Sequence, residues 1–247
     1  MKHKYWAKKK YSQVDPVDYA LQRFTTPAGK IIDEVEKKSV LDLLLNSGIN
    51  RTKKLRILDV ATGPGRLAFY LESHLRKAEI TGIDINENML QRARKIAVDN
   101  KSKVNFMKGD IYKLPFNENQ FDVVTGLRFS MHLPQINKVI QELSRVLKGG
   151  GILIFDMFNI NSILRLRRLY NNEKRKSLGF YTKQEIVVKA NNNGLNFLSE
   201  KGILLLGETI LRFLSHRLLN FTGSIINPPF LLKSISSKLV LAFRKSV

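Results

Sequence analysis

An acidic residue followed by a glycine turn is the first feature of this sequence that could do chemistry. Residues 57–60 form an apolar run that contains Asp59 and predicts a buried parallel strand. The chain then breaks at residues 62–65, Thr-Gly-Pro-Gly, before a helical apolar period begins at Leu67. Such a turn lets a ligand approach bare backbone, and the following helix directs its N–H groups and the positive end of its dipole into the same space.

Two ligand classes use this geometry. Gly63, Gly65 and Ala68 match the dinucleotide pattern G-x-G-x-x-G/A. Asp84 follows at about the 20-residue distance expected of a ribose-binding acid. However, Asp59 lies in the strand just before the first glycine. A carboxylate suits an ammonium group and is unfavourable beside a pyrophosphate, so Asp59 favours a cationic ligand over NAD.

The spacing D-x-x-x-G-x-G over residues 59–65 resembles motif I of the class I S-adenosylmethionine (SAM)-dependent methyltransferases. In that family the acid faces the methionine ammonium of the cofactor, which implies the same role for Asp59. Ala61 stands where the family usually has a further glycine, and we expect it to leave the backbone path open. The resemblance implies cofactor contacts in this segment from Asp59, Ala61, Thr62, Gly63 and Gly65.

A second acid ends the next predicted strand, residues 79–84. The two oxygens of Asp84 can accept from both hydroxyls of a ribose, and the carboxyl edge of an open α/β sheet is where such folds bind ligands. Residues 82–90 closely resemble the family's ribose-binding motif, which implies contacts from Asp84, Ile85 and Met89. The alternative for Asp84 is a helix-capping acid.

A third acid, Asp110, follows the predicted third strand at residues 104–107. Alone, the pair Gly109-Asp110 predicts only a turn. Its place after a third strand resembles the family's adenine-binding acid. The resemblance implies that the Asp110 carboxylate accepts from the exocyclic amine and that the Ile111 backbone N–H donates to the adenine ring.

Residues 127–133 follow a fourth apolar strand and are expected at the mouth of the site, which makes Leu127 a predicted cofactor contact. If the acceptor must lose a proton, His132 is the first candidate base, because imidazole titrates near neutral pH. Hydrogen bonding or packing is the alternative role for His132. Asp156, at the end of the fifth predicted strand, is a second candidate base. No His/Asp cluster has metal-ligand spacing, so we expect no metal.

The same segments predict an α/β fold. We expect a helix over residues 30–46, a helix over residues 138–148 ended by the glycines at 149–151, and a closing strand over residues 237–245. The resemblance implies a Rossmann-like doubly wound sheet of seven strands, mostly parallel with one antiparallel strand and with helices on both faces.

One domain in three segments is expected. Residues 1–50 form an N-terminal lid and helix, residues 51–156 the SAM-binding core, and residues 157–247 the C-terminal half of the same sheet with basic and apolar substrate-side insertions. Because N-terminal segments in this family often fold over the cofactor, the resemblance implies that Tyr19 or Arg23 could reach its carboxylate. Ordinary packing is the alternative.

Composition sets the compartment and the class of partner. The chain has 43% hydrophobic and 26% charged residues, typical of a globular protein, and no cysteine, which excludes disulfides and thiolate chemistry. We expect a cytoplasmic protein without a signal peptide or membrane span. The net charge is +21, and residues 157–247 contribute 15 basic against 4 acidic residues. This excess predicts contact with an anionic surface, such as the inner face of the membrane, or simply a solvated lysine-rich surface.

These features predict methyl transfer from SAM to a small acceptor of lipophilic or amphiphilic character. Residues 55–156 resemble the ubiquinone/menaquinone-biosynthesis C-methyltransferases. The basic segment 158–181 and the apolar segment 204–232 lie where such folds recognise substrates. One alternative is an RNA methyltransferase, which the charge favours and the absence of an Asn/Asp-Pro-Pro-Tyr/Phe motif disfavours. Another is a non-catalytic SAM- or nucleic-acid-binding module on the same fold.

Overall fold

The computed structural model describes residues 15, 23–133, 135–159, 162, 181–203 and 236–247. Its main helices are α1 (Pro27–Leu45), α2 (Arg66–His74), α3 (Glu87–Asp99), α4 (Ile136–Val146) and α5 (Lys183–Asn191). Its strands are β1 (Leu55–Val60), β2 (Ala78–Asp84), β3 (Asn105–Lys108), β4 (Phe121–Gly126), β5 (Leu147–Phe158), β6 (Leu195–Ile203) and β7 (Lys238–Lys245). Tyr19, the segment 204–232 and nearly all of the segment 158–181 lie outside the described residues.

The seven strands form one sheet in the order β3-β2-β1-β4-β5-β7-β6. Strands β1 to β5 are parallel, and β7 lies between β5 and β6 and runs antiparallel to both. The expected doubly wound seven-stranded sheet with one antiparallel strand is therefore confirmed. In the described part of the chain, no helix is both long and apolar enough to cross a membrane.

Two layers of helices cover the sheet, as expected for a doubly wound fold. Helices α1, α2 and α3 pack on one face, through residues such as Leu44, Leu71 and Leu90. Helices α4 and α5 pack on the other face, through residues such as Ile140 and Ile186. Because both faces are covered, the central strands are apolar on both sides, and any polar group within them requires a partner.

Helix α1 begins three residues earlier than the sequence predicted. Pro27 occupies its first position, and the hydroxyl of Thr26 accepts a hydrogen bond of 3.1 Å from the backbone N–H of Gly29. A side-chain cap followed by proline is a favourable helix start. The earlier start brings Phe24, just ahead of the cap, against the arginines Arg66 and Arg128.

The expected boundary between α4 and β5 was wrong. Helix α4 ends at Val146, and the glycines at 149–151 lie inside β5, where the pairing with β4 shifts register between Phe121 and Val123. Carbonyl groups at the C-terminal end of α4 receive their hydrogen bonds from a residue distant in sequence. Lys245 Nζ donates to the carbonyl oxygens of Ser144 at 2.8 Å and Leu147 at 2.7 Å. A cation at a helix C-terminus replaces the glycine stop that the sequence suggested.

Candidate functional site

The candidate site lies at the carboxyl ends of β1 and β4. Strand β1 pairs with β2 on one side and with β4 on the other, so the chain winds outward in both directions from this point. Such a switch point opens a crevice between the loops that follow the two strands, and open α/β sheets bind ligands there.

Asp59, in β1, is the most deeply buried acid of this crevice, with 1% of its surface exposed. Its carboxylate accepts hydrogen bonds from the hydroxyls of Thr62 at 2.6 Å and Thr125 at 3.1 Å. Burial raises the pKa of Asp59 to about 7, although the two hydroxyl donors lower it, and the nearby charge of Asp84 raises it further. A bound ammonium group would favour the ionised form of this carboxyl.

The turn after β1 has the backbone that its glycines require. Gly63 and Gly65 have φ angles of +54° and +83°, in the left-handed region. A Cβ added to Gly63 would meet no atom within 4 Å, whereas one added to Gly65 would lie 2.7 Å from the rings of Phe69 and Phe106. Gly63 therefore faces open space and can receive a ligand, while Gly65 allows close packing at the start of α2.

Ala61 also adopts a left-handed conformation, with a φ angle of +51°. The backbone follows the path that the turn requires despite the missing glycine. Next to it, the buried Thr62 donates its backbone N–H to the carbonyl of Ile83 at 3.0 Å, which joins the turn to β2. Both residues shape the turn that the sequence predicted for the cofactor.

Asp84 is the last residue of β2 and is partly buried. One carboxylate oxygen accepts from the Gly63 N–H at 2.8 Å and the other from the Asn86 N–H at 2.9 Å. Burial raises the pKa of Asp84, and backbone N–H donors from Asn86, Gly63 and Ile85 oppose this rise. Because a carboxylate has about four acceptor positions, Asp84 can order the turn and still accept from ribose hydroxyls.

The residues after Asp84 begin helix α3. Asn86 caps the helix by accepting from the N–H groups of Asn88 at 2.9 Å and Met89 at 3.2 Å. Met89 is buried, and Ile85 is partly buried at the rim of the crevice. The helix-capping role that the sequence left open for Asp84 thus belongs to Asn86.

The predicted adenine side is a turn joined to Asp84. Gly109 donates its N–H to the Asp84 carbonyl at 2.9 Å, which brings Asp110 and Ile111 beside the ribose-side acid. The Asp110 carboxylate accepts from the backbone N–H of Tyr112 at 3.0 Å, and Ile111 is partly buried. Leu127, directly after β4, is buried on the other side of the crevice.

The two candidate bases occupy different environments. His132 ends a short 3-10 helix, Ser130–His132, and is partly buried. Asp156 is 1% exposed, forms an ion pair with Lys238, and accepts from the backbone N–H of Arg128 at 2.6 Å. Their roles as bases stay predictions.

Sequence reasoning missed several polar residues beside the crevice. Thr125 holds Asp59, and Glu36, Arg128 and Lys238 form a buried group of charges beyond β4 around Asp156, which the sequence had named only as a candidate base. The signal for one of them was available, because Arg128 stands between the apolar residues Leu127 and Phe129. Arg23, a predicted ligand of the cofactor carboxylate, lies in a helical stretch just before α1.

The crevice fits SAM by the chemistry of its groups. A buried carboxylate at Asp59 suits the ammonium, open space at Gly63 admits a ligand against the backbone, and Asp84 offers carboxylate oxygens to a diol. In the part of the chain that the structure describes, no group of three or more metal-binding side chains is present.

The family model described as "Methyltransferase domain" matches residues 51–202, more than half of the chain. The chain belongs to this methyltransferase family. The matched range begins just before β1 and ends in β6, so it contains Asp59, Asp84, Asp110 and Asp156. The family and the fold imply SAM as the cofactor.

Curated relatives share the methyltransferase region. An uncharacterized methyltransferase of Schizosaccharomyces pombe is 37% identical over 39% of this chain and 37% of its own length. A sterol 24-C-methyltransferase of Gibberella zeae is 35% identical over 47% of this chain and 32% of its own length. A ubiquinone/menaquinone biosynthesis C-methyltransferase of Bartonella quintana is 31% identical over 57% of this chain and 66% of its own length. The chain thus spans from about a third to about two thirds of these relatives.

Solved structures share the fold across most of the chain. A SAM-dependent methyltransferase of Thermotoga maritima superposes with a TM-score of 0.66 at 22% identity, covering 93% of this chain and 96% of that one. The cyclase SpnF superposes with a TM-score of 0.61 at 20% identity, covering 88% of this chain and 80% of that one. At these identities the similarity shows the fold alone.

Proposed function

We propose that this protein is a SAM-dependent methyltransferase whose acceptor is a small molecule of lipophilic or amphiphilic character. The observation that supports it most is the buried carboxylate of Asp59 beside the glycine turn and Asp84, at the switch point of a sheet in the methyltransferase family. The nature of the acceptor rests on the relatives named for sterols and quinones.

The residues divide the work of the reaction between cofactor and acceptor. Asp59 would hold the ammonium of the cofactor's amino acid part, and Asp84 would hold the ribose hydroxyls of its nucleoside part. Gly63 lets the ligand approach the backbone. The sulfonium of bound SAM supplies an electrophilic methyl group. The protein then has to orient the acceptor and exclude water, since positioning alone can contribute several orders of magnitude to the rate.

The cofactor assignment is tested by calorimetric titration with S-adenosylhomocysteine and, separately, with NAD. We expect S-adenosylhomocysteine to bind and NAD to bind far more weakly. Asp84→Ala should weaken S-adenosylhomocysteine binding by about 10- to 100-fold, because hydrogen bonds to a charged group contribute about 1.5–3 kcal/mol.

Asp122→Ala is a matched control for this titration. Asp122 also accepts a backbone N–H, from Arg56 at 2.8 Å, but it lies near the start of β4, at the opposite edge of the sheet. Its variant should bind S-adenosylhomocysteine like the wild type. Preferential binding of NAD, or equal losses in Asp84→Ala and Asp122→Ala, would contradict the assignment.

The acceptor class is tested with tritiated-methyl SAM and a total lipid extract, alongside total RNA. We expect label in the organic phase and none in RNA. A non-catalytic module would bind S-adenosylhomocysteine and label neither, a result to take seriously because the fold also occurs in a protein named as a cyclase. If RNA binding is found, its loss with rising salt would show a contact dominated by phosphates.

A further inference from the structure

Four buried charges form a group beside the candidate site, defined here as the charge cluster: Glu36 of α1, Arg128 after β4, Asp156 of β5 and Lys238 of β7. Their residues are between 0% and 8% exposed. The cluster has two acids and two bases and is neutral as a whole. Arg128 Nε donates to Glu36 at 2.8 Å, and Lys238 pairs with both Glu36 and Asp156.

The charge cluster lies at the carboxyl edge of the sheet. Asp156 is near the end of β5, and Lys238 begins the antiparallel β7, so the register places Lys238 opposite Phe158 at that same edge. Arg128 comes two residues after the last residue of β4. The cluster is therefore next to the crevice, on the β4–β5 side.

The charge cluster also fastens the loop after β4, residues 127–133, which carries His132. The backbone N–H of Arg128 donates to the Asp156 carboxylate at 2.6 Å, and the Ser130 hydroxyl donates to the Asp156 carbonyl at 2.7 Å. Arg128 has a φ angle of +62°, which a non-glycine residue adopts only when surrounding contacts hold it. The loop thus takes its shape from Asp156 and from the charged side chains of the cluster that hold Asp156 in place.

Stability is a weak reason for such a group of charges. Taking charges out of water costs so much that a well-packed apolar replacement is often as stable as a buried ion pair. Buried ion pairs instead supply a fixed orientation, because each charged side chain can pair with its partner in only a few arrangements. Here the arrangement joins α1 and β7, two elements 190 or more residues apart in the chain, to one loop.

We propose that Glu36 and Lys238 are positioning residues for methyl transfer, which act through Arg128 and Asp156 to fix the loop at residues 127–133 against the acceptor side of the crevice. This inference rests on the proposed function for its effect on catalysis. The effect on the loop itself does not depend on that function. Asp156 is, in this scheme, the anchor of the loop.

The test compares Glu36→Gln with Asp42→Asn. Both variants replace an acid of α1 by its amide, and both acids pair with a lysine of the sheet, but Asp42 pairs with Lys201 of β6, about 9 Å further along the helix. Amide hydrogen exchange is measured by mass spectrometry on the peptide that contains residues 127–133 and on the β1 peptide. S-adenosylhomocysteine affinity and methyl transfer to the lipid extract are measured on the same samples.

In Glu36→Gln we expect exchange of the loop amides to accelerate about tenfold or more while the β1 peptide is unchanged. The affinity for S-adenosylhomocysteine should stay within about threefold, and the rate of methyl transfer to the lipid extract, at saturating SAM and fixed enzyme concentration, should fall by about 10- to 100-fold, as for a misplaced reacting group. Asp42→Asn should leave all three readouts near wild type. Uniform acceleration across the protein, or equal behaviour of the two variants, would overturn the proposal.

Two further variants separate positioning from folding. Glu36→Gln with Lys238→Met keeps the cluster neutral, so it should fold even if a single variant does not, and its loop should still exchange faster than wild type. Lys238→Arg keeps the charge, so the amides of its loop at residues 127–133 should exchange as slowly as in the wild type. If wild-type protein transfers no methyl group to any acceptor, the proposed function fails, and the exchange comparison alone still decides whether the cluster holds the loop.

Discussion

At the scale of single residues, Asp59 shows how burial changes a side chain that the sequence presents as an ordinary acid. The ordinary pKa of 3.8 rises to about 7 because the carboxyl is buried, and the hydroxyls of Thr62 and Thr125 offset only part of this effect. A carboxyl with that pKa is partly protonated in the ligand-free protein at neutral pH. A cationic ligand would bring it to its charged form.

We expect Asp59 to make the ligand-free protein less stable as pH rises. Between about pH 4 and pH 7 the folded state keeps a proton that the unfolded state has lost, so the free energy of unfolding falls with pH. The full effect is at most about 4 kcal/mol. Urea unfolding at about pH 5 and about pH 8 should show a smaller difference for Asp59→Asn than for wild type. The same difference in both proteins would contradict the raised pKa.

The same carboxyl predicts proton release on ligand binding. If an ammonium group lies against Asp59, binding lowers its pKa and expels the proton, so binding strengthens as pH rises toward 7. Titration of S-adenosylhomocysteine at about pH 6, in buffers of different ionisation enthalpy, should reveal close to one proton released. Asp59→Asn should release close to none, and equal release in the two proteins would refute the contact.

We expect replacement of Ala61 by glycine to stabilise the protein. Its φ angle of +51° costs an alanine about 1–2 kcal/mol, whereas glycine adopts it freely and loses about 0.5–1 kcal/mol in chain entropy. Ala61→Gly should therefore raise the free energy of unfolding by about 0.5–1 kcal/mol, measured by urea unfolding. Ala93, buried in the middle of α3, is the control: Ala93→Gly should lower it. A loss of stability in Ala61→Gly would contradict the prediction.

At the scale of elements, the strands carry the acids and the loops after them shape the crevice. β1, β2 and β5 each bring one acid to the carboxyl edge, and α2 begins at the glycine turn without a side-chain cap. The exact element ends, however, depend on contacts between distant parts of the chain. Helix α4 is the clearest example, because Lys245 of the last strand donates to the carbonyl oxygens at its C-terminal end.

We expect Lys245→Met to destabilise the fold by about 1–3 kcal/mol, because it removes a charged donor from the carbonyl oxygens of Ser144 and Leu147. Thermal and urea unfolding would measure the loss. Lys95→Met, on the exposed face of α3, should change stability by less than about 0.5 kcal/mol. Similar losses in the two variants would mean that the end of α4 does not need Lys245.

At the scale of the whole molecule, the net charge of +21 dominates. An excess of one sign repels itself in the compact state, and salt at 0.1 M largely screens the repulsion between exposed charges more than about 10 Å apart. We expect the melting temperature to rise by about 2–4 °C as sodium chloride is raised from low to physiological concentration. A falling melting temperature would mean that attractive surface pairs outweigh the repulsion. Contact with an anionic surface, and a cytoplasmic location, stay predictions.

The sequence by itself determined the α/β class and the arrangement of three acids at one edge of the sheet. It could do so because apolar period and turn chemistry are local, and parallel strands bring their carboxyl ends to one edge. Asp59, Asp84 and Asp110 therefore lie near one crevice, as predicted. The glycine turn was predictable for the same reason.

Only the tertiary structure decided which partners these residues meet. Thr125 reaches Asp59 across 66 residues of chain, and Lys238 reaches Glu36 across 202. Such pairs leave no local pattern, since they depend on which strands become neighbours. Burial, and with it the raised pKa of Asp59 and the charge cluster, follows from that packing, because a charge is costly only once the chain has removed its water.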